Sequence, residues 1–233
     1  PFQDKRLRIA AAHAIDRQAL HHAVFYGQGA MADQPFPEGN PWHLEGIRSL
    51  EYDPDKAKAL LKEARATGTP VKIVVNVNNT LNRETAQVVQ DLWSTVGFKA
   101  TMEGLDTVPY RDARNQGTFD ALINSNTYRY DPDDYFARNL HSKSDYSQAL
   151  SGWQNARYDQ LVEEAKRTLD QARRKELYTE AWNIVNVELP FFYLHEIPQT
   201  SAAAKELQGY QPGSSGAVTY QGGGLRTAYL AKS

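Results

Sequence analysis

The order of strand and helix patterns in the middle of this chain predicts an α/β fold, with a mainly parallel sheet flanked by helices. Apolar runs rich in Val, Ile and Phe predict strands over 71–77, 98–102 and 119–123. Helical periodicity between them predicts helices from about 83 to 96 and from 108 to 115. A β-α-β-α-β order of this kind is typical of parallel strands joined by crossover helices.

Helices are also expected on both sides of this unit. An apolar stripe over 4–25 predicts one long helix near the start of the chain. A second helix is expected to begin at Pro54, with Asp53 as its N-cap, and to end at Gly68. Two further amphipathic helices are predicted over 155–169 and 172–187.

The composition excludes several classes of function. The chain has 233 residues, of which 41% are hydrophobic, so it can build a core. It has 26 Lys and Arg against 28 Asp and Glu, and the net charge of −2 gives no basic surplus for nucleic acid or anionic lipid. No apolar run approaches the roughly 20 residues of a membrane helix. The lack of cysteine excludes disulfides, thiolate zinc sites and cysteine nucleophiles.

Polar side chains follow the first and third predicted strands. Asn76 and Asn78 follow the first strand, and a longer polar stretch follows the third. Ligands of open α/β sheets bind beyond the carboxyl ends of the strands, so these segments are candidates for a binding site. Trp42, in an irregular loop rich in Pro and Gly, is a further candidate. The predicted ligand-binding residues after the third strand are Asn124, Asn126, Tyr128, Arg129, Tyr130 and Asp131. The alternative is ordinary turn chemistry, which Asn favours.

An acidic cluster is formed by Asp131, Asp133 and Asp134. Paired carboxylates can act as general acid and base, or bind a hard cation such as calcium. They directly precede an expected helix, however, where carboxylates cap exposed N–H groups and complement the helix dipole. We therefore favour the capping role.

No metal site and no cofactor is expected. His13, His21 and His22 share one predicted helix but lack the i, i+4 spacing that places two imidazoles on one metal, and His195 is isolated in the sequence. The glycines at 222–224 do not lie between a strand and a helix, so a phosphate-binding loop is not indicated.

Several short segments, in this order along the chain, resemble the C-terminal half of family 5 extracellular solute-binding proteins. These are the peptide, opine and nickel-complex receptors of ABC importers. Their colinear order over nearly the whole chain makes the resemblance specific to this family. The segments are PFQDKRLR at 1–8, AIDR at 14–17, YDPDKAKALL at 52–61, GTFD at 117–120, DPD at 131–133, NARYDQL at 155–161, RKELY at 174–178 and LPF at 189–191.

The resemblance implies one lobe of a bilobal, periplasmic-binding-protein-like (type II) fold. Residues 1–190 would form the ligand-binding lobe, and 191–233 would return towards an N-terminal lobe that is not in this chain. The implied receptor is a non-enzymatic monomer without cofactor that passes its ligand to ABC permease subunits. The implied location is the periplasm, or the cell exterior with a lipid anchor, after removal of a signal peptide.

One departure from the family pattern bears on the ligand. Peptide receptors of this family carry an aspartate for the ligand's α-amino group three residues before the Asp-Pro, and the chain has Tyr128 there. Arg129 follows, and a guanidinium favours an anionic or polyhydroxylated ligand. Two other hypotheses stay open at this point: a hydrolase that uses Asp131 and Asp133, and a purely structural module.

Overall fold

The computed structural model describes residues 1–125, 131–197, 202–210 and 228–231. Its helices are α1 (Lys5–His13), α2 (Arg17–Phe25), α3 (Pro54–Glu63), α4 (Thr80–Val96), α5 (Thr107–Gln116), α6 (Pro132–Leu140), α7 (Asp145–Leu150), α8 (Ala156–Arg167) and α9 (Gln171–Glu188). Its strands are β1 (Ala30–Met31), β2 (Pro70–Asn76), β3 (Lys99–Leu105), β4 (Ala121–Ile123), β5 (His195–Glu196), β6 (Leu207–Gln208) and β7 (Tyr229–Leu230). Within these ranges, no helix combines the length and apolar character needed to cross a membrane.

Three strands form the parallel sheet that the sequence predicts, in the order β3-β2-β4. Val74 of β2 lies beside Glu103 of β3 and beside Leu122 of β4. Ile73, Val74 and Val75 are fully buried, as expected for a central strand covered on both faces. Parallel pairing brings the carboxyl ends of all three strands to one edge of the sheet.

The crossover from β2 to β3 is made by α4, which is capped at both ends. The side chain of Asn79 accepts a hydrogen bond from the N–H of Asn82 at 3.0 Å, and Gly97 ends the helix with a φ of 114°. Trp93, on the buried face of α4, donates its indole N–H to the carbonyl of Ala11 at 3.0 Å. The sheet unit is thereby attached to α1.

The single helix expected over 4–25 is wrong, because the structure has two helices, α1 and α2, separated at residues 14–16. The side chain of Asp16 accepts a hydrogen bond from the N–H of Ala19 at 2.8 Å and caps α2. A side chain that caps a new helix competes with continuation of the previous one. Ile15, between the two helices, is buried in the core.

The helix α3 begins behind its N-cap Asp53 as predicted, but it ends before Gly68. Arg65 adopts a left-handed conformation with a φ of 54°, and the N–H of Ala66 bonds to the carbonyl of Leu61 at 2.8 Å. These are the features of a Schellman motif, in which a left-handed residue satisfies the last helical carbonyls. Gly68 therefore belongs to the turn into β2.

Buried apolar side chains form two clusters. The first packs α1 to α4 against the sheet and includes Leu20, Ile73 and Trp93. The second packs α6, α8 and α9 together and includes Phe136 and Trp182. The described part of the chain thus has two apolar cores.

An extended segment over 189–196, the connecting segment, contacts both clusters. Phe192 and Leu194 pack against the first cluster, while Phe191 and Tyr193 pack against the second. Successive side chains of an extended chain point to opposite sides, which explains this alternation. The segment ends in β5, which pairs antiparallel with β1.

We expect Ile73→Ala to lower the free energy of unfolding by about 3 kcal/mol, because it leaves a cavity beside the central strand. Urea unfolding followed by circular dichroism measures this change. Val108→Ala is the control, since Val108 is 64% exposed on α5, and it should cost less than about 0.5 kcal/mol. Equal losses for the two variants would contradict the burial of β2.

Candidate functional site

A cavity of about 1650 Å³ lies between the two apolar clusters. Trp93 of the first cluster, Tyr135 of the second cluster, Tyr193 and His195 of the connecting segment contribute to its wall. Residues at the carboxyl end of β4 complete this wall. The volume exceeds the roughly 300–1000 Å³ of common small-molecule pockets, so it has room for a solute together with water.

Asn124 lies in the cavity wall, directly after β4. The hydroxyl of Tyr110 donates to the carbonyl of Ile123 at 2.9 Å and lies 3.1 Å from the Oδ1 of Asn124. Burial raises the pKa of Tyr110 to about 12, so its hydroxyl keeps its proton near neutral pH. The buried hydroxyl of Tyr110 therefore holds the end of β4 and lies beside the side chain of Asn124.

Two polar residues of α4 also line the cavity, and sequence reasoning missed them. Asn82 and Thr85 are buried, and the hydroxyl of Ser125 donates to the Oδ1 of Asn82 at 2.8 Å. Both lie on the stripe that α4 buries, together with Val89 and Trp93. Polar residues on an otherwise apolar helix face are the signal that could have identified them.

Asn76 and Asn78 lie at the same edge of the sheet but use their side chains within the loops. The Oδ1 of Asn76 accepts a hydrogen bond from the N–H of Asn78 at 3.1 Å. The Nδ2 of Asn78 donates to Asp106 at 3.3 Å and to Thr107 at 3.2 Å. These bonds tie the loop after β2 to the loop after β3, which is the turn chemistry that Asn favours. A ligand-binding role for the two residues stays a prediction.

Asp131 caps α6, as the sequence predicts, and is bound by Arg174. Its Oδ1 accepts a hydrogen bond from the N–H of Asp133 at 2.8 Å. Arg174 donates its Nη2 to this Oδ1 at 2.6 Å and its Nη1 to Oδ2 at 3.1 Å. Burial acts to raise the pKa of Asp131, but the hydrogen bonds from Arg174 and from the N–H of Asp133 lower it overall. Trp42 covers the guanidinium at 5.1 Å, so Trp42 and Asp131 meet at Arg174.

Asp133 has a different environment. Its Oδ1 is buried without a hydrogen-bond partner among the described residues, and burial raises its pKa. It lies with His141 and Glu163 in a surface depression of about 500 Å³. Asp131 is not part of that wall, so the two carboxylates do not face one reaction site of the kind that the hydrolase hypothesis requires.

Folding brings together two histidines that are far apart in the sequence. The Nδ1 of His21 lies 3.0 Å from the Nδ1 of His195, and the ring of Phe25 stacks on His195. Burial and the nearby His21 lower the pKa of His195 to about 4, so it is neutral near pH 7. In residues 1–125, 131–197, 202–210 and 228–231, no group of three or more His, Cys, Asp or Glu could hold a metal ion.

The residues predicted to bind ligand therefore fall into four groups. Asn124 lies in the cavity wall. Asn76 and Asn78 bond within the loops, and Trp42 and Asp131 contact Arg174. The others, Asn126, Tyr128, Arg129 and Tyr130, lie outside the residues that the structure describes.

Comparison of the sequence with known proteins finds one family. The family model described as "Bacterial extracellular solute-binding proteins, family 5 Middle" matches residues 1–148. The chain is 34% identical over 199 residues to di/tripeptide-binding protein 1 of Pseudomonas aeruginosa UCBPP-PA14, covering 82% of this chain and 36% of that protein. It is 31% identical over 220 residues to the dipeptide-binding protein of P. aeruginosa PAO1, covering 91% and 41%. The chain thus spans about two-fifths of the length of these relatives.

Solved structures share the fold. The periplasmic binding protein DppA of Helicobacter pylori, in complex with the peptide STSA, superposes with a TM-score of 0.81 at 22% identity over 99% of this chain and 45% of that one. The dipeptide-binding protein of Pseudoalteromonas sp. SM9913, in complex with Met-Leu, gives 0.81 at 23% identity over 99% and 46%. The α/β lobe predicted from the sequence is the fold of these proteins.

We expect Arg174→Met to lower the free energy of unfolding by about 1 kcal/mol, because Arg174 packs between aromatic rings and pairs with Asp131. Arg173→Met is the matched control, since Arg173 lies on the same helix as Arg174 and its ion pairs within the described residues, with Glu164 of α8 and Glu176 of α9, are exposed. It should cost less than about 0.5 kcal/mol.

The pH dependence distinguishes the ion pair from packing. Because the pKa of Asp131 is lowered in the folded protein, its contribution is complete above about pH 4 and is lost as the pH falls through the lower folded value. The difference in unfolding free energy between Arg174→Met and wild type should therefore become smaller in acid, where only the packing of Arg174 on Trp42 and Tyr178 still contributes. A constant difference down to the lowest pH would show that the pair contributes nothing.

Proposed function

Because the chain belongs to the bacterial extracellular solute-binding proteins of family 5, we propose that it serves as the ligand-binding lobe of a receptor for an ABC importer. The receptor would capture a small polar solute between this lobe and a second one, with the cavity described above as this lobe's side of the cleft. It would bind the solute without chemical change and deliver it to membrane permease subunits. The observation that carries this proposal is the cavity between the two cores, with Asn82, Asn124 and Ser125 in its wall.

The proposed solute is peptide-like, opine-like or another anionic or polyhydroxylated compound. Named relatives are a di/tripeptide-binding protein, a dipeptide-binding protein and a heme-binding protein, which favours a peptide-like compound. Tyr128 stands where peptide receptors of the family carry an aspartate for the ligand's amino group, so another group of the ligand would supply the main contact. Arg129 follows and favours an anionic group.

We assign residues 1–190 to this lobe and 191–233 to a segment that returns to a second lobe. The relatives' greater length supports a second lobe. The proposed junction lies where α9 ends and the connecting segment begins, and residues 191–196 of that segment still pack against both cores and pair with β1. The proposed receptor is a monomer in the periplasm, or on the outer cell surface with a lipid anchor.

A hydrolase is the weaker alternative. Asp131 is occupied by the cap of α6 and by Arg174, and Asp133 lies in a separate depression. The relatives are named as binding proteins. Equal background rates of peptide hydrolysis for wild type and Asp131→Asn would remove this alternative.

Ligand binding by this chain is expected to be weak, because one lobe supplies only part of the contacts and excludes water poorly. We predict at best millimolar affinity for di- and tripeptides, about 4 kcal/mol of binding free energy. Titration calorimetry of the 233-residue chain with Met-Leu, and thermal unfolding with a panel of di- and tripeptides, measure it. Submicromolar affinity would contradict the single-lobe assignment, and no stabilisation by any peptide at concentrations well above the millimolar range would contradict a peptide-like ligand.

In a two-lobed receptor, we expect Arg129→Ala to weaken ligand binding more than Asp133→Ala does. Arg129 is proposed to contact the ligand, whereas Asp133 lies outside the cavity wall. Calorimetric titration of both variants tests the order, and a larger loss for Asp133→Ala would reverse these roles.

A further inference from the structure

The cavity wall carries more negative than positive side chains. Its acidic and basic side chains, within the described residues, are Asp120, Asp145, Glu196, Arg8 and His195. His195 is neutral near pH 7, because its pKa is lowered to about 4. Arg8 already donates to the carbonyls of Glu188 at 2.8 Å and Phe2 at 2.7 Å. The described wall therefore has a surplus of negative charge, and its guanidinium is occupied.

Glu196 is the carboxylate of this wall whose charge is least compensated. Asp120 accepts the N–H of Lys72 at 2.8 Å, and Asp145 is exposed to water in α7. Glu196 is half-buried, and its carboxylate has no hydrogen bond or ion pair among the residues that the structure describes. A carboxylate that loses hydration without gaining a partner is destabilised, and a bound cation would restore the lost interaction.

Glu196 lies where the connecting segment meets the loop after β1. Successive side chains of an extended chain point to opposite sides, and the preceding residue, His195, is stacked on Phe25 of α2. Glu196 therefore points away from α2, towards the loop over 33–43, whose ionisable groups act on its pKa. Asn40 of this loop also lines the cavity. The carboxylate is thus placed between two segments of the cavity wall.

The surroundings of Glu196 favour a cationic group of the solute. Burial raises the pKa of Glu196, His43 lowers it in part, and the carboxylates of Asp33 and Glu38 raise it further. Asp33 is paired with Arg17 at 2.7 Å, whereas Glu38 is exposed and has no ion pair within the described residues. Since no Lys or Arg in that part of the chain pairs with Glu196, a cation from the solute would be the first to do so.

We propose that Glu196 binds the ammonium group of the solute and thereby selects peptide-like compounds with a free amino group. This inference rests on the proposed function, because it assigns one contact within the proposed cavity. An ammonium group offers N–H donors to the two carboxylate oxygens, and charge-assisted hydrogen bonds of this kind are strong. A single carboxylate suits an ammonium group better than a metal ion, for which the described residues offer no group of three ligands.

This assignment is compatible with the anionic contact proposed at Arg129. A peptide with free ends is zwitterionic near neutral pH, because its amino group is protonated and its carboxyl group is ionised. The ammonium group would bind to Glu196, and the carboxylate of the same molecule stays available for a guanidinium.

Titration of the 233-residue chain with Met-Leu and with N-acetyl-Met-Leu tests the contact, because acetylation removes the ammonium charge. Chemical-shift changes in the ¹⁵N NMR spectrum measure affinities in the millimolar range. Wild type should bind Met-Leu about tenfold more tightly than the acetylated peptide, and Glu196→Gln should reduce this ratio to about one. No preference in wild type, or the same preference in Glu196→Gln, would overturn the proposal and leave the receptor intact.

Glu38→Gln is the matched control. It removes the same charge from the same region, but Glu38 is exposed and lies outside the cavity wall. The preference for Met-Leu over the acetylated peptide should therefore persist in this variant. An equal loss of preference in Glu38→Gln and Glu196→Gln would overturn the direct contact, because the charge of the region would then account for the effect.

Methylammonium separates this inference from the proposed function. If no di- or tripeptide binds wild type, the peptide receptor fails, and the ¹³C signal of the Glu196 carboxylate alone decides the site. Methylammonium chloride should then shift this signal, whereas sodium chloride at the same ionic strength leaves it in place. Glu196→Gln identifies the signal by removing it. Equal shifts with the two salts, or no shift with either, would overturn the ammonium site.

Discussion

The burial of β2 on both faces is the constraint on which the site depends. Ile73, Val74 and Val75 have no exposure, so both faces of the sheet are covered, and the neighbouring strands run parallel to β2. Parallel strands end at one edge, and that edge carries Asn76 at the end of β2 and Asn124 directly after β4. The packing of the apolar centre of β2 thus places these two residues at the same edge of the sheet.

The cavity exists because the two apolar clusters are joined at a few points and remain separate elsewhere. Asp33 is one such point. Its carboxylate accepts hydrogen bonds from the guanidinium of Arg17 of α2 at 2.7 Å and from the N–H of Ser49 at 3.2 Å. Its backbone carbonyl accepts a hydrogen bond from the indole N–H of Trp182 of α9 at 3.4 Å. Burial acts to raise the pKa of Asp33, but the hydrogen bonds from Ser49 and Arg17 lower it overall. The connecting segment joins the clusters a second time, with alternate side chains in each. The space between two cores joined in this way is the cavity that the proposed solute would occupy.

The sequence predicted the elements better than it predicted the contacts of the site. The spacing of apolar residues and the identity of capping residues predict β2, α4 and the cap of α6 at Asp131, because these are local features of the sequence. The break at residues 14–16 was missed, since the apolar stripe continues through it and only the cap by Asp16 reveals it. Contacts between residues that are far apart in the sequence could not be predicted. Arg174 donates to Asp131, Ser125 donates to Asn82, and His21 contacts His195. No local sequence pattern encodes pairs at such separations.

The central claim is that a peptide-like solute occupies the space between the two cores and is held there by polar contacts. Intermolecular nuclear Overhauser effects between Met-Leu and the chain test it most directly, since they report which side chains surround the bound molecule. The account predicts contacts to the ring protons of Trp93 and Tyr135, on opposite sides of the cavity. Contacts to exposed residues such as Val108 and Val187 instead would contradict it.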